Sequence, residues 1–152
     1  MKLFLSNYTN KLDKKGRVSI PAQFRAVLVN QEFNGIITYI SFVNNCIEAS
    51  GVDRLTKLNN FIENLDPFSE ERDAFATAIL GGSQQLQFDS EGRVNLPEDY
   101  ISQLALSEYV TFVGKGETFE IWNPDDFKIY SEKSKLLAKE RRGTLKISGD
   151  NK

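Results

Sequence analysis

Two stretches of the chain carry the same alternation of polar and apolar residues. Arg17 and Ser19 alternate with Val18 and Ile20, and Arg93 and Asn95 alternate with Val94 and Leu96. Side chains along a strand point to opposite faces, so the aliphatic residues enter a core while the arginines and their small polar neighbours face outward. Each stretch follows an Asp-x-x-Gly segment, Asp13 to Gly16 and Asp89 to Gly92. This is turn chemistry: Asp accepts hydrogen bonds from the backbone ahead of it, and Gly tolerates a positive φ. Each stretch ends in a proline, Pro21 or Pro97, which suits the start of a short helix. Phe24, Val27 and Leu28 form one helical stripe, and Tyr100, Ile101 and Leu104 form the other. The pattern predicts strand, turn, strand and short helix, twice.

Residues 36–49 and 109–122 are rich in β-branched and aromatic side chains. Asn44-Asn45 interrupts the first and Gly114-Lys115-Gly116 the second, so each predicts a hairpin. A helix follows each. Val52, Leu55, Leu58, Ile62 and Leu65 share one helical face, which Asp66-Pro67 ends. In the second half Asn123 is an N-cap, with Pro124 at the first helical position and Asp125 and Asp126 in the first turn. That helix is expected to reach about Arg142 and to fray from Gly143 to Lys152. Between the halves, Ser69 caps a helix over roughly 70–80, using Phe75, Ile79 and Leu80, and Gly81-Gly82 stops it.

The two halves are therefore an internal repeat. Asp13, Gly16, Arg17, Val18 and Pro21 recur at an offset of 76 as Asp89, Gly92, Arg93, Val94 and Pro97. Ile47-Glu48-Ala49 matches Phe119-Glu120-Ile121 at an offset of 72, so the intervening loops differ by four residues. Two copies are too few for a solenoid. The expectation is an α+β protein of two pseudo-symmetric modules packed on each other, residues 1–68 and 69–142, followed by a flexible basic tail, 143–152.

Charge sharpens the picture. The net charge is −2, on its face unlike a nucleic-acid binder. Its distribution differs: residues 1–25 carry a net of +5, residues 26–130 a net of −11, and residues 131–152 a net of +4. No apolar run approaches the roughly 20 residues of a membrane span, and the N-terminus has no apolar core of a signal peptide. The single cysteine, Cys46, fits a reducing cytoplasm. With no histidine and one cysteine, a Ser-His-Asp triad, a Cys-His pair and a structural zinc site are excluded. No cofactor, metal, catalytic residue or small-molecule substrate is expected.

Candidate chemistry concentrates at the first turn. Lys14, Lys15 and Arg17 cluster there, with Lys11 just before. Arg forks onto a phosphate or onto guanine, while Lys acts as a point charge. The alternative is a solvated hairpin tip. Arg93 holds the outward position in the second repeat, beside Ser90 and Glu91. Asp13 and Asp89 are expected to fix their turns and orient the arginines. Arg25 is expected either to touch DNA or to form an ion pair within or between subunits. Lys133, Lys135, Lys139, Arg141 and Arg142 are a second electrostatic candidate, or simply a solvated helix end. Glu70-Glu71 and Asp125-Asp126 sit where helix first turns want acids, not where catalysis would place them. Phe119, Trp122 and Cys46 read as core.

The run from Phe4 through Ser6, Tyr8, Leu12, Asp13, Lys15, Gly16, Arg17, Ser19, Ile20, Pro21, Ala22 and Phe24 to Arg25 resembles the N-terminal half of the MraZ family. Asp89, Gly92, Arg93, Leu96 and Pro97, with Phe119-Glu120-Ile121-Trp122, resemble its second half. The resemblance implies two swapped-hairpin modules like those of the AbrB family, fused in one chain. It implies a cytoplasmic, nucleoid-associated regulator, usually a repressor of its own operon in the bacterial division and cell-wall gene cluster. It implies a ring-shaped homo-oligomer on double-stranded promoter DNA, with contacts assigned to Asp13–Arg17 and Asp89–Arg93. Two positions depart from the family: Ser6 stands where Gly is usual, and Glu91 where Lys or Gln is frequent. The alternative is a self-assembling protein-interaction module.

Overall fold

The predicted strands form, but they find partners across the repeat. The computed structural model describes residues 2–146. The first half runs β1 (Asn7–Lys11), β2 (Arg17–Ser19), α1 (Ala22–Val27), β3 (Gly35–Ile40), β4 (Ile47–Ser50) and α2 (Val52–Glu63). After α3 (Glu70–Phe75), the second half repeats the order as β5 (Gln84–Gln87), β6 (Arg93–Asn95), α4 (Glu98–Gln103), β7 (Tyr109–Gly114), β8 (Phe119–Trp122) and α5 (Pro124–Glu140). Both predicted hairpins are present, β3 with β4 and β7 with β8.

An antiparallel six-stranded sheet has the order β1-β7-β8-β4-β3-β5. Each half thus adds its first strand to the other half's hairpin. β2 and β6 leave this sheet and pair with each other as a two-stranded antiparallel ribbon. The expected turn between β1 and β2 exists, yet the two strands are not a hairpin. They share only a bridge between Leu12 and Val18, because the backbone of β2 is engaged by β6.

The core lies between one sheet face, the ribbon and the two short helices. Phe24 of α1 is fully buried, with its ring 5.3 Å from Phe4, 5.5 Å from Tyr8 and 4.9 Å from Phe119. Its counterpart Tyr100 is also buried and shares a 2.8 Å hydrogen bond with the Thr38 hydroxyl, so the buried phenol is satisfied. Val18, Ile20, Val94 and Leu96 are buried beside them, as the alternation predicts. On the opposite sheet face α2 covers Tyr39 through Ile62, and α5 covers Trp122 through Phe127 and Tyr130. Phe119, Trp122 and Cys46 are buried core residues, as expected.

Helix ends follow local chemistry. The Ser69 hydroxyl accepts from the Arg72 N–H, and the Asn123 side chain accepts from Asp125 and Asp126. Both caps were predicted. The helix after Ser69 is α only to Phe75 and then widens to a π-helical turn, Ala76–Leu80, closed by Gly81 N–H on the Ala76 carbonyl. α2 stops at Glu63, short of Asp66-Pro67, because Leu65 N–H bonds the Ile62 carbonyl in a tighter turn. α5 ends at Glu140 rather than Arg142, with one 3₁₀ turn at Arg142–Thr144. Its 17 residues make it the long C-terminal helix expected. The rest of the predicted tail, 147–152, lies outside the described residues.

Ser6 has φ of 71°. That left-handed conformation is one Gly adopts without strain, so the backbone here suits a glycine.

Candidate nucleic-acid interface

The ribbon brings the two Asp-x-x-x-Arg segments into one surface. Its register pairs Val18 with Val94 at the centre, flanked by Arg17 with Asn95 and Ser19 with Arg93. Residues directly opposite on a ribbon share a face. Both valines therefore point inward, and Arg17, Ser19, Arg93 and Asn95 share the outer face. The two arginines sit diagonally. The backbone locks the halves reciprocally: Leu96 N–H donates to the Gly16 carbonyl at 2.8 Å, and Ile20 N–H to the Gly92 carbonyl at 3.1 Å.

Each aspartate builds its turn and aims its arginine. Asp13 Oδ1 accepts from the N–H of Lys15 at 2.9 Å and of Arg17 at 2.8 Å, and its Oδ2 accepts from Arg17 Nε at 2.7 Å. Asp89 repeats this with Glu91 N–H at 2.8 Å, Arg93 N–H at 2.9 Å and Arg93 Nε at 2.8 Å. The role expected for both aspartates is thus the one they have. Gly16 and Gly92 close the turns with φ of 82° and 76°, where a side chain would be strained. Each aspartate engages its arginine through Nε, which leaves the Nη groups for other partners. Arg17 makes no other side-chain hydrogen bond among the described residues, whereas Arg93 Nη2 also lies 3.6 Å from Glu91. Lys14 and Lys15 are exposed on the first turn, and Lys11 is exposed on β1.

Hydrogen bonds from the turn's backbone N–H groups and from the arginine hold both aspartate carboxyls below their ordinary value of 3.8, against some desolvation. A lowered carboxyl pKa adds stability that is present above 3.8 and is lost as pH falls through the lower folded value. Amide NMR signals of Lys15, Arg17, Glu91 and Arg93 should therefore titrate with a midpoint below pH 3.8. Movement centred above that pH would contradict the geometry. Arg93 is shifted the other way, upward, first by its bond to Asp89. Glu91 and, least of all, Asp13 of the other half push it the same way.

Apart from Arg25, whose guanidinium lies against Gly92 of the second turn, the other candidates fall away from the ribbon. Arg25 forms no ion pair among the described residues; its Nε donates to the Ile20 carbonyl at 3.0 Å. Lys133, Lys135 and Lys139 lie on α5, which packs beside β7 rather than on the ribbon. Glu70-Glu71 and Asp125-Asp126 occupy helix first turns. Among the described residues no group of three or more Cys, Asp or Glu could hold a metal ion, and no helix is long and apolar enough to cross a membrane. Sequence reasoning placed the motifs on two separate turns and missed their union. Nothing in the local pattern reveals that β2 and β6 pair, although the shared outward alternation is consistent with it.

The family model described as "MraZ protein, putative antitoxin-like" matches residues 79–147. Relatives named "Transcriptional regulator MraZ" match nearly the whole chain. The protein of Rickettsia bellii (strain OSU 85-389) is 54% identical over 147 residues, covering 96% of this chain and 98% of that relative. That of Rickettsia canadensis (strain McKiel) is 52% identical over 146 residues, with the same coverage. That of Rickettsia rickettsii (strain Sheila Smith) is 51% identical over 146 residues. These names are those of regulators and not of enzymes. The repeated motif, its paired ribbon and these full-length matches together establish that the chain belongs to the MraZ family.

Proposed function

We propose that this chain is a sequence-specific DNA-binding transcriptional regulator and that the β2–β6 ribbon is its DNA-reading element. The observation that carries the reading is the single outer face holding Arg17, Arg93, Ser19 and Asn95. The major groove admits a two-stranded β-ribbon. Diagonal neighbours on a ribbon lie about 7–8 Å apart, close to two base steps of about 3.4 Å on one strand. Arg17 and Arg93 can thus reach bases or phosphates in one groove, Asn95 and Ser19 offer short polar contacts beside them, and Lys14 and Lys15 meet the flanking backbone. The relatives' shared name supports regulation of transcription.

The finer reading is repression. The chain assembles as a ring-shaped homo-oligomer, in the cytoplasm and on the nucleoid, over repeats in the promoter of its own division and cell-wall operon, and occludes it. One ribbon offers too few phosphate contacts for tight binding at physiological salt. A ring presenting ribbons at fixed spacing gains by effective concentration. The two modules are swapped hairpins; the strand order supports this, since each half's first strand lies on the other's hairpin.

The test is a titration of the protein on a duplex from its own promoter at several salt concentrations. Each neutralised phosphate contributes about −0.9 to the slope of log K against log salt. With Lys14, Lys15 and the arginines engaged, the slope should be steeper than about −3 for one ribbon. A flat dependence contradicts the reading.

A further inference from the structure

The two turns are not equivalent in what flanks them. Arg25 and Ile101 occupy the same repeat position, one on α1 and the other on α4. Ile101 packs against the first turn, its Cδ1 3.4 Å from where a Cβ on Gly16 would sit. Arg25 packs against the second: its Nη1, Cζ and Nε lie 2.5, 2.7 and 2.8 Å from where a Cβ on Gly92 would sit. The guanidinium therefore lies across the bare face of Gly92, in space only glycine leaves open. Its Nε is anchored on the Ile20 carbonyl at 3.0 Å, and among the described residues neither Nη group has an acceptor. The side chain is half-buried, so the fork is held yet reachable.

Charge explains what that placement is worth. The first turn carries Lys14, Lys15 and Arg17 against Asp13, with Lys11 close by. The second carries Asp89 and Glu91 against Arg93 alone. Without Arg25 the second end of the ribbon is net negative, and a polyanion would meet it unfavourably. A guanidinium fixed through Nε with two free Nη groups has the geometry that grips a phosphate oxygen pair.

We propose that Arg25 is a DNA-phosphate clamp that the first half supplies to the second motif. It gives the Asp89–Arg93 turn the basic group its own sequence lacks. This rests on the DNA-binding reading of the ribbon, and the experiment separates the two. Full-length wild-type protein, Arg25→Gln and Ile101→Arg are titrated on the promoter duplex and on an unrelated duplex over a range of salt. Phosphate contacts carry no sequence information. Arg25→Gln should therefore weaken binding to both duplexes by a similar factor, about tenfold. The salt slope should become shallower by about 0.9 for each engaged ribbon. Ile101→Arg places a guanidinium beside the first turn. It should tighten both complexes and steepen the slope by a similar amount, which keeps the proposal testable if Arg25→Gln does not fold. A folded Arg25→Gln protein with wild-type slope and affinity overturns the clamp while leaving the ribbon reading intact. So does an unchanged slope in Ile101→Arg. A wild-type protein with no salt-dependent binding overturns both.

Discussion

Arg17→Ala is expected to abolish promoter binding at physiological salt while leaving fold and assembly unchanged. Of the two motif arginines, Arg17 is the less encumbered by acids, pairing with Asp13 alone where Arg93 meets Asp89 and Glu91. Asp13 holds it through Nε, and its side chain lies on the outer face of the ribbon. A bidentate arginine on a base or phosphate contributes about tenfold to a hundredfold in affinity per contact. If two ribbons of an oligomer engage one duplex, those losses multiply to between about a hundredfold and ten-thousandfold. The folding cost is small, because the Arg17–Asp13 pair is a partly exposed surface pair. The turn keeps its backbone bonds to Asp13 Oδ1 from Lys15 and Arg17. Gel-shift titration with size measurement of the variant checks this. Wild-type affinity in an intact oligomer would contradict it.

Phe24→Ala is expected to cost about 4 kcal/mol of folding stability. Phe24 is completely buried, and its ring contacts Phe4, Tyr8 and Phe119. Phe119 comes from the second half, so the cavity opens where the halves meet. Cavities of this size relax only partly, and the loss combines transfer and missing contacts. Against a typical total of about 5–15 kcal/mol, the variant should unfold at a markedly lower denaturant concentration. The loss should also reach DNA binding, because α1 follows β2 directly and helps seat the ribbon. Denaturation at matched protein concentration measures this; a loss below about 1 kcal/mol would mean the site is not the tight core described.

Local chemistry in the sequence was strongly legible. The alternation of Arg17, Val18, Ser19 and Ile20 gave faces correctly, because a buried face fixes strand parity. Asp-x-x-Gly gave the turn, and Ser69 and Asn123 gave their caps, because these bonds close within four residues. Pairing partners were not legible. β1 and β2 adjoin in sequence, yet their backbones bond strands of the other half, a choice set by tertiary packing rather than propensity. For the same reason the motifs read as two isolated turns rather than one surface. Arg25 could be nominated from its position beside Phe24, but its contact with Gly92 spans the halves and leaves no local signature.

If the ribbon reads DNA, both motifs act as one DNA-facing surface rather than as a basic turn with a silent copy. Arg93→Ala tests it most directly, by fluorescence-anisotropy titration on the promoter duplex beside wild type and Arg17→Ala. Arg93 lies diagonally across the ribbon from Arg17 and keeps its own aspartate. Arg93→Ala should bind at least about tenfold more weakly than wild type while remaining folded and assembled. Wild-type affinity for Arg93→Ala, with Arg17→Ala impaired, would contradict it.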